Sequence, residues 1–162
     1  GGTLNGVRVY NLYVPNGKEV GSPSFAFKEA WYKALAKFLR DNHTPDEKIV
    51  VCGDFNVAPA DVDTYDPEKW RGKVLFSEQE HTWLQQLMDF GLYDSFRFLS
   101  PNEQAFSWWD YRQGAFQRGR GMRIDLQLVT KPLLKSLQCV TMDKSERGKE
   151  KPSDHIPVTL KV

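Results

Sequence analysis

"KIVVCGDFN", residues 48–56, is a short apolar run that ends in two polar side chains. A strand without polar alternation is typical of one that is buried on both faces of a sheet. Asp54 and Asn56 are two positions apart, so an extended backbone points both side chains the same way. A turn would explain the pair equally well, because Asp and Asn favour turns. The stretch therefore predicts a buried strand whose end carries a carboxylate and a carboxamide.

The segments on either side of this strand carry a strand pattern and a helix pattern. Residues 7–14, VRVYNLYV, place β-branched and aromatic residues in near alternation before a PNG turn, which predicts a strand. Residues 24–42 have apolar side chains at steps of three and four, which predicts an amphipathic helix capped by Ser24. Its predicted apolar stripe consists of Phe27, Trp31, Leu35 and Phe38 or Leu39.

A second helix is predicted over residues 77–92. Ser77 and Glu80 have the spacing of a capping box, and Gly91 stands where a helix favours a left-handed residue at its C-terminal end. The apolar stripe of this helix is predicted to contain Trp83, Leu84, Leu87 and Met88.

The rest of the chain has the pattern of short strands separated by Pro, Gly and charged loops. The predicted strands cover residues 92–99, 105–111, 123–130, 137–142 and 156–162, and residues 143–151 are predicted to form a charged, exposed loop. Helices early and strands late predict an α/β fold with a mixed, mostly antiparallel sheet and flanking helices. We expect residues 1–162 to form a single domain.

Composition limits the function classes. The chain has 162 residues, 40% hydrophobic, and a net charge of +1, so any nucleic-acid binding must come from a local basic patch. Two cysteines, Cys52 and Cys139, predict no disulfide framework. No run approaches the roughly 18 apolar residues of a membrane span. We therefore expect a cytoplasmic protein with no membrane partner.

Three polar residues near the ends of late strands are candidate site residues. Asp125 precedes the apolar run LQLV, so it is predicted to be partly buried and to need a partner. Arg123 shares its face of the strand, and a surface ion pair would be the simpler explanation. Asp154 and His155 follow later in the chain, and a buried Asp125 could orient His155 as in a catalytic triad. A solvated loop is the ordinary explanation for such an Asp–His pair.

Residues 106–123, FSWWDYRQGAFQRGRGMR, combine aromatic residues with a local charge of +3. This combination favours a surface that binds phosphates through arginine and stacks bases on flat rings. The alternative is a loop whose tryptophans fill the core. The aromatic residues and arginines that form the predicted surface are Trp108, Trp109, Tyr111, Phe116, Arg112, Arg118, Arg120 and Arg123.

Five motifs, in this order, resemble the exodeoxyribonuclease III type of abasic-site endonuclease, in the endonuclease/exonuclease/phosphatase superfamily. They are NLYVPNG (11–17), GDFN (53–56), FSWWDYR (106–112), GMRIDLQL (121–128) and KPSDH (151–155). The resemblance runs from about residue 4 to the end. It implies the C-terminal part of a four-layer α/β sandwich of the DNase I type.

The resemblance also implies a reaction and a set of roles. The reaction is cleavage of double-stranded DNA 5′ to abasic sites and removal of nucleotides or blocks from 3′ ends, with Mg²⁺ or alternatively Mn²⁺. The implied catalytic residues are Tyr13, Asp54, Asn56, Asp125 and His155, with Asp54 activating the water. The implied DNA-binding residues are Asn16, Trp108, Trp109, Arg112, Arg118 and Arg123, and the implied metal ligands are Asp54, Asn56 and Asp154. A bacterial source would imply a nucleoid-associated protein.

The chain also departs from the family pattern. The family's asparagine in an N-terminal strand and its metal-binding glutamate have no counterpart here, and half of the sandwich is missing. We therefore expect an exposed apolar sheet face, and a chain that is inactive alone, self-associates, or pairs with the missing N-terminal half. Two alternatives stay open: a non-catalytic DNA-binding or assembly fragment, and a phosphoesterase of the same superfamily that acts on a lipid or inositol phosphate.

Overall fold

The computed structural model describes residues 1–162, and it places the GDFN strand at the centre of a five-stranded sheet. The strands of this sheet are β1 (Gly2–Leu4), β2 (Val7–Tyr13), β3 (Ile49–Asp54), β4 (Leu92–Asp94) and β5 (Asp125–Thr130). Their order is β1-β2-β3-β5-β4. The β2–β3 pair is parallel and the other pairs are antiparallel. The predicted mixed, mostly antiparallel sheet is confirmed.

Two long helices cover one face of the sheet. The helices are α1 (Pro23–Asn42), α2 (Pro67–Trp70), α3 (Glu78–Met88), α4 (Ser95–Leu99) and α5 (Lys131–Leu134). None of them is long and apolar enough to cross a membrane. Helix α1 connects the parallel strands β2 and β3, and it is capped by Ser22 rather than Ser24, because Pro23 occupies its first turn. The predicted capping box of Ser77 and Glu80 begins α3.

The buried stripe of α1 differs from the predicted one. Phe27 is 63% exposed, so it was wrongly assigned to the core. Of the two alternatives Phe38 and Leu39, Phe38 is 40% exposed and Leu39 is the buried one. The buried stripe consists of Phe25, Lys28, Tyr32, Leu35, Ala36 and Leu39. The helix turns a lysine toward the sheet, and the true stripe could not be recognised from apolar spacing alone.

The late part of the chain departs further from the prediction. Residues 95–99 form α4 instead of continuing β4, because the Asp94 carboxylate caps the first turn by accepting from the Arg97 N–H. Residues 105–111 make no strand, and only Trp108 forms isolated bridges, to Met122 and His155. The last two strands, β6 (Cys139–Met142) and β7 (Val158–Lys161), pair with each other in a separate two-stranded sheet.

The face of the sheet away from α1 and α3 is covered only in part. A groove of about 640 Å³ lies there, and its lining includes the half-buried apolar side chains Val7, Val9 and Leu160. The edge strand β1 is exposed along its whole length. The expected apolar face and free edge are therefore present, whereas self-association or pairing stays a prediction.

Candidate active site

Three neighbouring strands bring polar side chains to one row across the sheet. Tyr13 at the end of β2 is paired with Asp54 at the end of β3, and Asp54 is paired with Asp125 at the start of β5. Gly53 allows this close approach: its φ is +123°, and a Cβ atom would come within 2.1 Å of the Leu12 carbonyl oxygen. Tyr13 is exposed.

The GDFN segment is both an extended edge and a turn. Asn56 has a φ of +49°, and its backbone N–H donates to Asp54 Oδ1 at 2.8 Å. Its side-chain amide donates to Asp54 Oδ2 and to the Val14 carbonyl, each at 2.9 Å. Asn16 Nδ2 in turn donates to Asn56 Oδ1 at 2.9 Å. The sequence pattern alone did not reveal that Asn16, Asn56 and Asp54 form one hydrogen-bonded chain.

A second hydrogen-bonded group lies beside Asp54. His155 Nδ1 is 2.8 Å from Asp125 Oδ2, and His155 Nε2 is 3.9 Å from Asp54 Oδ2. Ser107 Oγ donates to Asp125 Oδ2 at 2.6 Å and accepts the N–H groups of Ile124 and Asp125. Sequence reasoning missed Ser107, because a serine between aromatic residues carries no signal for a partner 18 positions away.

The surroundings of Asp54 and His155 shift the pKa values of both side chains, for different physical reasons. Burial and then the charge of Asp125 raise the pKa of Asp54 to about 6, against the hydrogen bond from Asn56 and the charges of His155 and Lys28. Burial alone would lower the pKa of His155, but the hydrogen bond and charge of Asp125 outweigh it and raise that pKa. The site therefore holds a carboxylate that titrates near pH 6 beside an imidazole with increased affinity for a proton.

Residues 106–123, the arginine-rich loop, lie next to this site, and Trp108 is the residue of the loop that adjoins it. Trp108 Nε1 donates to Asp154 Oδ2 at 3.0 Å, so Asp154 and His155 point to different partners. A cavity of about 260 Å³ adjoins Trp108, and Tyr65, Trp70, Arg112 and Arg120 line it. Arg112 and Arg118 are exposed, and Arg112 also pairs with Asp110.

The structure contradicts two of the DNA-binding assignments. Trp109 is 1% exposed because it fills a small core with Ala115 and Ile156. Arg123 is 0% exposed, and its guanidinium forms two-pronged ion pairs with Asp63 and Asp94. Neither side chain can reach DNA in this fold.

The loop of residues 143–151 is also less exposed than predicted. Arg147 is buried, with its guanidinium over the rings of Tyr111 and Phe116. Lys144 lies over the rings of Trp109 and Phe116. The loop therefore packs against the arginine-rich loop, because cations gain from contact with aromatic faces.

The candidate metal donors are the carboxylates of Asp54 and Asp154. No group of three or more His, Cys, Asp or Glu side chains is placed to hold a metal ion. Mg²⁺, however, is commonly held by one or two carboxylates, with waters and substrate phosphates as further ligands. The charge of Asp125 raises the pKa of the neighbouring Asp54, and a nearby cation would offset that repulsion. The donors present therefore fit a Mg²⁺ site completed by the substrate.

Comparison with known proteins decides the family. The model of the endonuclease/exonuclease/phosphatase family matches residues 2–155. The chain belongs to this family. Within the endonuclease/exonuclease/phosphatase family, it is 38% identical over 158 residues to exodeoxyribonuclease III of Haemophilus influenzae, covering 93% of this chain and 59% of that relative. The predicted resemblance is confirmed.

Solved structures of the endonuclease/exonuclease/phosphatase family share the fold. The 3′ phosphatase NExo from Neisseria, bound to a product DNA hairpin, superimposes with a TM-score of 0.93 at 46% identity, covering 98% of this chain and 62% of that one. An AP endonuclease from Archaeoglobus fulgidus gives a TM-score of 0.90 at 34% identity, with coverages of 96% and 61%. The chain spans about six-tenths of the length of each of these three relatives.

Proposed function

We propose that this chain contributes the acid–base centre of a metal-dependent DNA-repair phosphodiesterase. Its substrates are double-stranded DNA with abasic sites, cut on the 5′ side, and blocked or unblocked 3′ ends. The observation that carries the proposal is the row of Tyr13, Asp54 and Asp125, with His155 beside it. The names of the relatives, an exodeoxyribonuclease, a 3′ phosphatase and an AP endonuclease, support DNA as the substrate.

The reaction needs a deprotonated water and relief of charge on the phosphate. Asp54 is the base that takes a proton from the water, while Asn56 orients its carboxylate through two hydrogen bonds. The water oxygen forms a bond to phosphorus as the bond to the 3′ oxygen breaks. The departing 3′ oxygen takes a proton from solvent to become a hydroxyl group, and Asp54 later returns its proton to solvent. His155, held by Asp125, donates a hydrogen bond to a non-bridging oxygen. Tyr13 is exposed beside Asp54 at the end of the row, and its proposed role is to contact the substrate phosphate.

The metal has a limited part in this proposal. Mg²⁺ or Mn²⁺, when bound, neutralises charge on the phosphate oxygens. Asp154 and an oxygen of Asp54 are the donors that would hold it. Asn56 is a weaker candidate ligand, because its side-chain amide already donates to Asp54 and Val14 and accepts from Asn16.

The DNA surface in this proposal is the outer side of the arginine-rich loop. Arg112 and Arg118 offer exposed guanidinium groups for phosphates, and Trp108 offers a half-buried ring beside the acid–base centre. The aromatic residues and arginines of this loop favour DNA over a lipid or inositol phosphate.

The test is incision of a duplex with one abasic-site analogue in the presence of Mg²⁺. The chain is assayed alone and with a polypeptide that supplies the part of a full-length relative that this chain does not match. Asp54→Asn serves as the catalytic variant and should lose incision while it still binds the duplex. Lys33→Met, on the outer side of α1, is the matched control and should keep incision. Absence of cleavage in both arrangements would refute the enzymatic proposal.

A second candidate is a DNA-binding module without catalysis. The observation that favours it is the exposure of Arg112 and Arg118, whose guanidinium groups can bind phosphates without a metal. This candidate predicts duplex binding with no product in either arrangement, and with no response to Mg²⁺.

A further inference from the structure

We propose that Lys28 is a positioning residue for the active site. Its ammonium group donates hydrogen bonds to the backbone of the Asn16 loop, which joins β2 to α1, and to the backbone of the GDFN turn. Lys28 thereby sets the separation between Asn16 and Asn56. The kinetic consequence rests on the proposed function, whereas the structural part can be tested without any activity.

Lys28 is an unusual member of the core. Its side chain is fully buried on the α1 face that packs against the sheet and α3. The ammonium group has three N–H donors, and each one has a partner. It pairs with the Glu80 carboxylate, and it donates to the carbonyl oxygens of Asn16 at 3.2 Å and Asn56 at 2.6 Å.

Glu80 holds this ammonium group in place from the other side. The Glu80 carboxylate is also fully buried, and it accepts the N–H groups of Leu75 and Ser77 and the Ser77 hydroxyl. The buried pair therefore joins α1 to the N-terminus of α3. Neither side chain is free to move without breaking several hydrogen bonds.

The two carbonyls bound by Lys28 belong to the residues that orient Asp54. Asn16 Nδ2 donates to Asn56 Oδ1, and Asn56 Nδ2 donates to Asp54 Oδ2, both at 2.9 Å. The Asn16 loop also packs on the lysine stem: a Cβ at Gly17 would lie 3.1 Å from Lys28 Cδ. Lys28 thus contacts the backbone beneath the hydrogen-bonded chain that ends on the proposed base.

Stability alone does not explain a lysine at this position. Apolar side chains surround it on the same stripe, including Phe25, Tyr32 and Leu35. Replacing a buried ion pair by apolar residues of similar volume is often neutral or stabilising. Burial lowers the pKa of Lys28, partly offset by Glu80, so the charged form is costly in this place. An apolar side chain could not form the hydrogen bonds that Lys28 donates to the two carbonyl oxygens.

The test compares Lys28→Met, Glu80→Gln and the double variant Lys28→Met/Glu80→Gln. The double variant leaves no unpaired buried charge, so its thermal unfolding midpoint should recover most of the loss caused by Lys28→Met. Its Asn16 and Asn56 side-chain amide signals, in ¹H–¹⁵N NMR spectra, should nevertheless shift or broaden. Incision should fall about 100-fold in kcat, the size of effect expected from a misplacement near 1 Å. The matched control is Lys33→Met/Glu29→Gln, which removes an exposed pair on the same helix and should change neither readout.

Glu80→Gln keeps the lysine and its two carbonyl bonds, so the amide signals should stay close to those of the wild type even where stability falls. The proposal is overturned if the double variant has wild-type amide signals, or if Glu80→Gln perturbs them as strongly as Lys28→Met. If the wild type cuts no DNA either alone or with the complementing polypeptide, the proposed function fails, while the NMR comparison still decides the role of Lys28.

Discussion

At the residue scale, Asp54 shows why a reactive position is costly for the fold. Its side chain is only 13% exposed, and Asp125 lies opposite it on the next strand. Burial and the neighbouring charge raise its pKa from the ordinary 3.8 to about 6. A base whose pKa lies near neutral pH suits proton transfer, but its ionised form destabilises the folded protein.

Asp54→Asn is expected to stabilise the protein at high pH. The folded state binds the Asp54 proton more tightly than the unfolded state, so its contribution to stability is present below the unfolded pKa and is lost as pH rises through about 6. The variant removes that loss and should gain about 3 kcal/mol at pH 8, because each unit of pKa difference corresponds to about 1.4 kcal/mol. Urea unfolding at pH 8 and pH 4 measures both values. A gain that is equal at the two pH values would contradict the assignment.

The His155 pair gives a second prediction for a single residue. Asp125→Asn removes the charge that raises the pKa of His155 and leaves only an amide oxygen to accept its hydrogen bond, while burial still lowers that pKa. The pKa of His155 should therefore fall from its wild-type value, and NMR titration of the ring protons measures it. Asp110→Asn is the control, because Asp110 pairs with Arg112 in the exposed loop. An unchanged pKa in Asp125→Asn would mean that the two side chains do not interact in solution.

At the element scale, Arg123 joins three segments that are far apart in the sequence. It pairs with Asp63 in a short 3₁₀ turn and with Asp94, which caps α4. Arg97 adds a second cation to Asp63, so two arginines balance two aspartates. Because Arg123 directly precedes Ile124 and Asp125, this network fixes the start of β5, where the site begins.

Arg123→Met should cost about 3–5 kcal/mol in the free energy of unfolding, because it leaves Asp94 without its cation and buried Asp63 with Arg97 alone. Chemical denaturation measures the loss. Arg112→Met is the matched variant, and no measurable change is expected because its side chain is 86% exposed. Equal stability of the two variants would show that the buried network contributes little.

Local signals explain which elements could be predicted. The α3 helix was foreseeable because its capping box and apolar stripe lie within a dozen residues. Residues 95–99 were mistaken for part of a strand, because an apolar–polar alternation such as FRFL also fits one helical turn. In that turn Phe96 is buried and Phe98 is 53% exposed.

The site residues that lie at the first or last position of a strand could be predicted from the sequence. Tyr13, Asp54 and Asp125 lie at such positions, and the sheet brings them together. Partners remote in sequence were not foreseeable: Lys28 meets Glu80 across 52 positions, and Arg123 meets Asp63 across 60. Spacing along a chain carries no information about such pairs.

At the scale of the whole molecule, charge is nearly balanced, with a net value of +1. The proposed attraction to DNA therefore needs a local basic patch, and the proposal assigns this role to the arginine-rich loop. Arg112/Arg118/Arg120→Gln should weaken duplex binding and reduce the slope of log affinity against log salt by about 3, because each lost phosphate contact contributes about 0.9. Binding isotherms at several salt concentrations measure the slope. Lys33/Lys37/Arg40→Gln removes the same charge from the outside of α1 and should leave the slope nearly unchanged.

The strand order also has a consequence for how the protein is made. β4 pairs only with β5, and β5 is inserted between β3 and β4 although it follows both in the chain. His155 joins the site later still. A growing chain on the ribosome can therefore form the β2–α1–β3 unit early, but the proposed acid–base centre is complete only after His155 has been synthesised. Shorter stretches of this chain would therefore lack the proposed base and its neighbouring imidazole in one place.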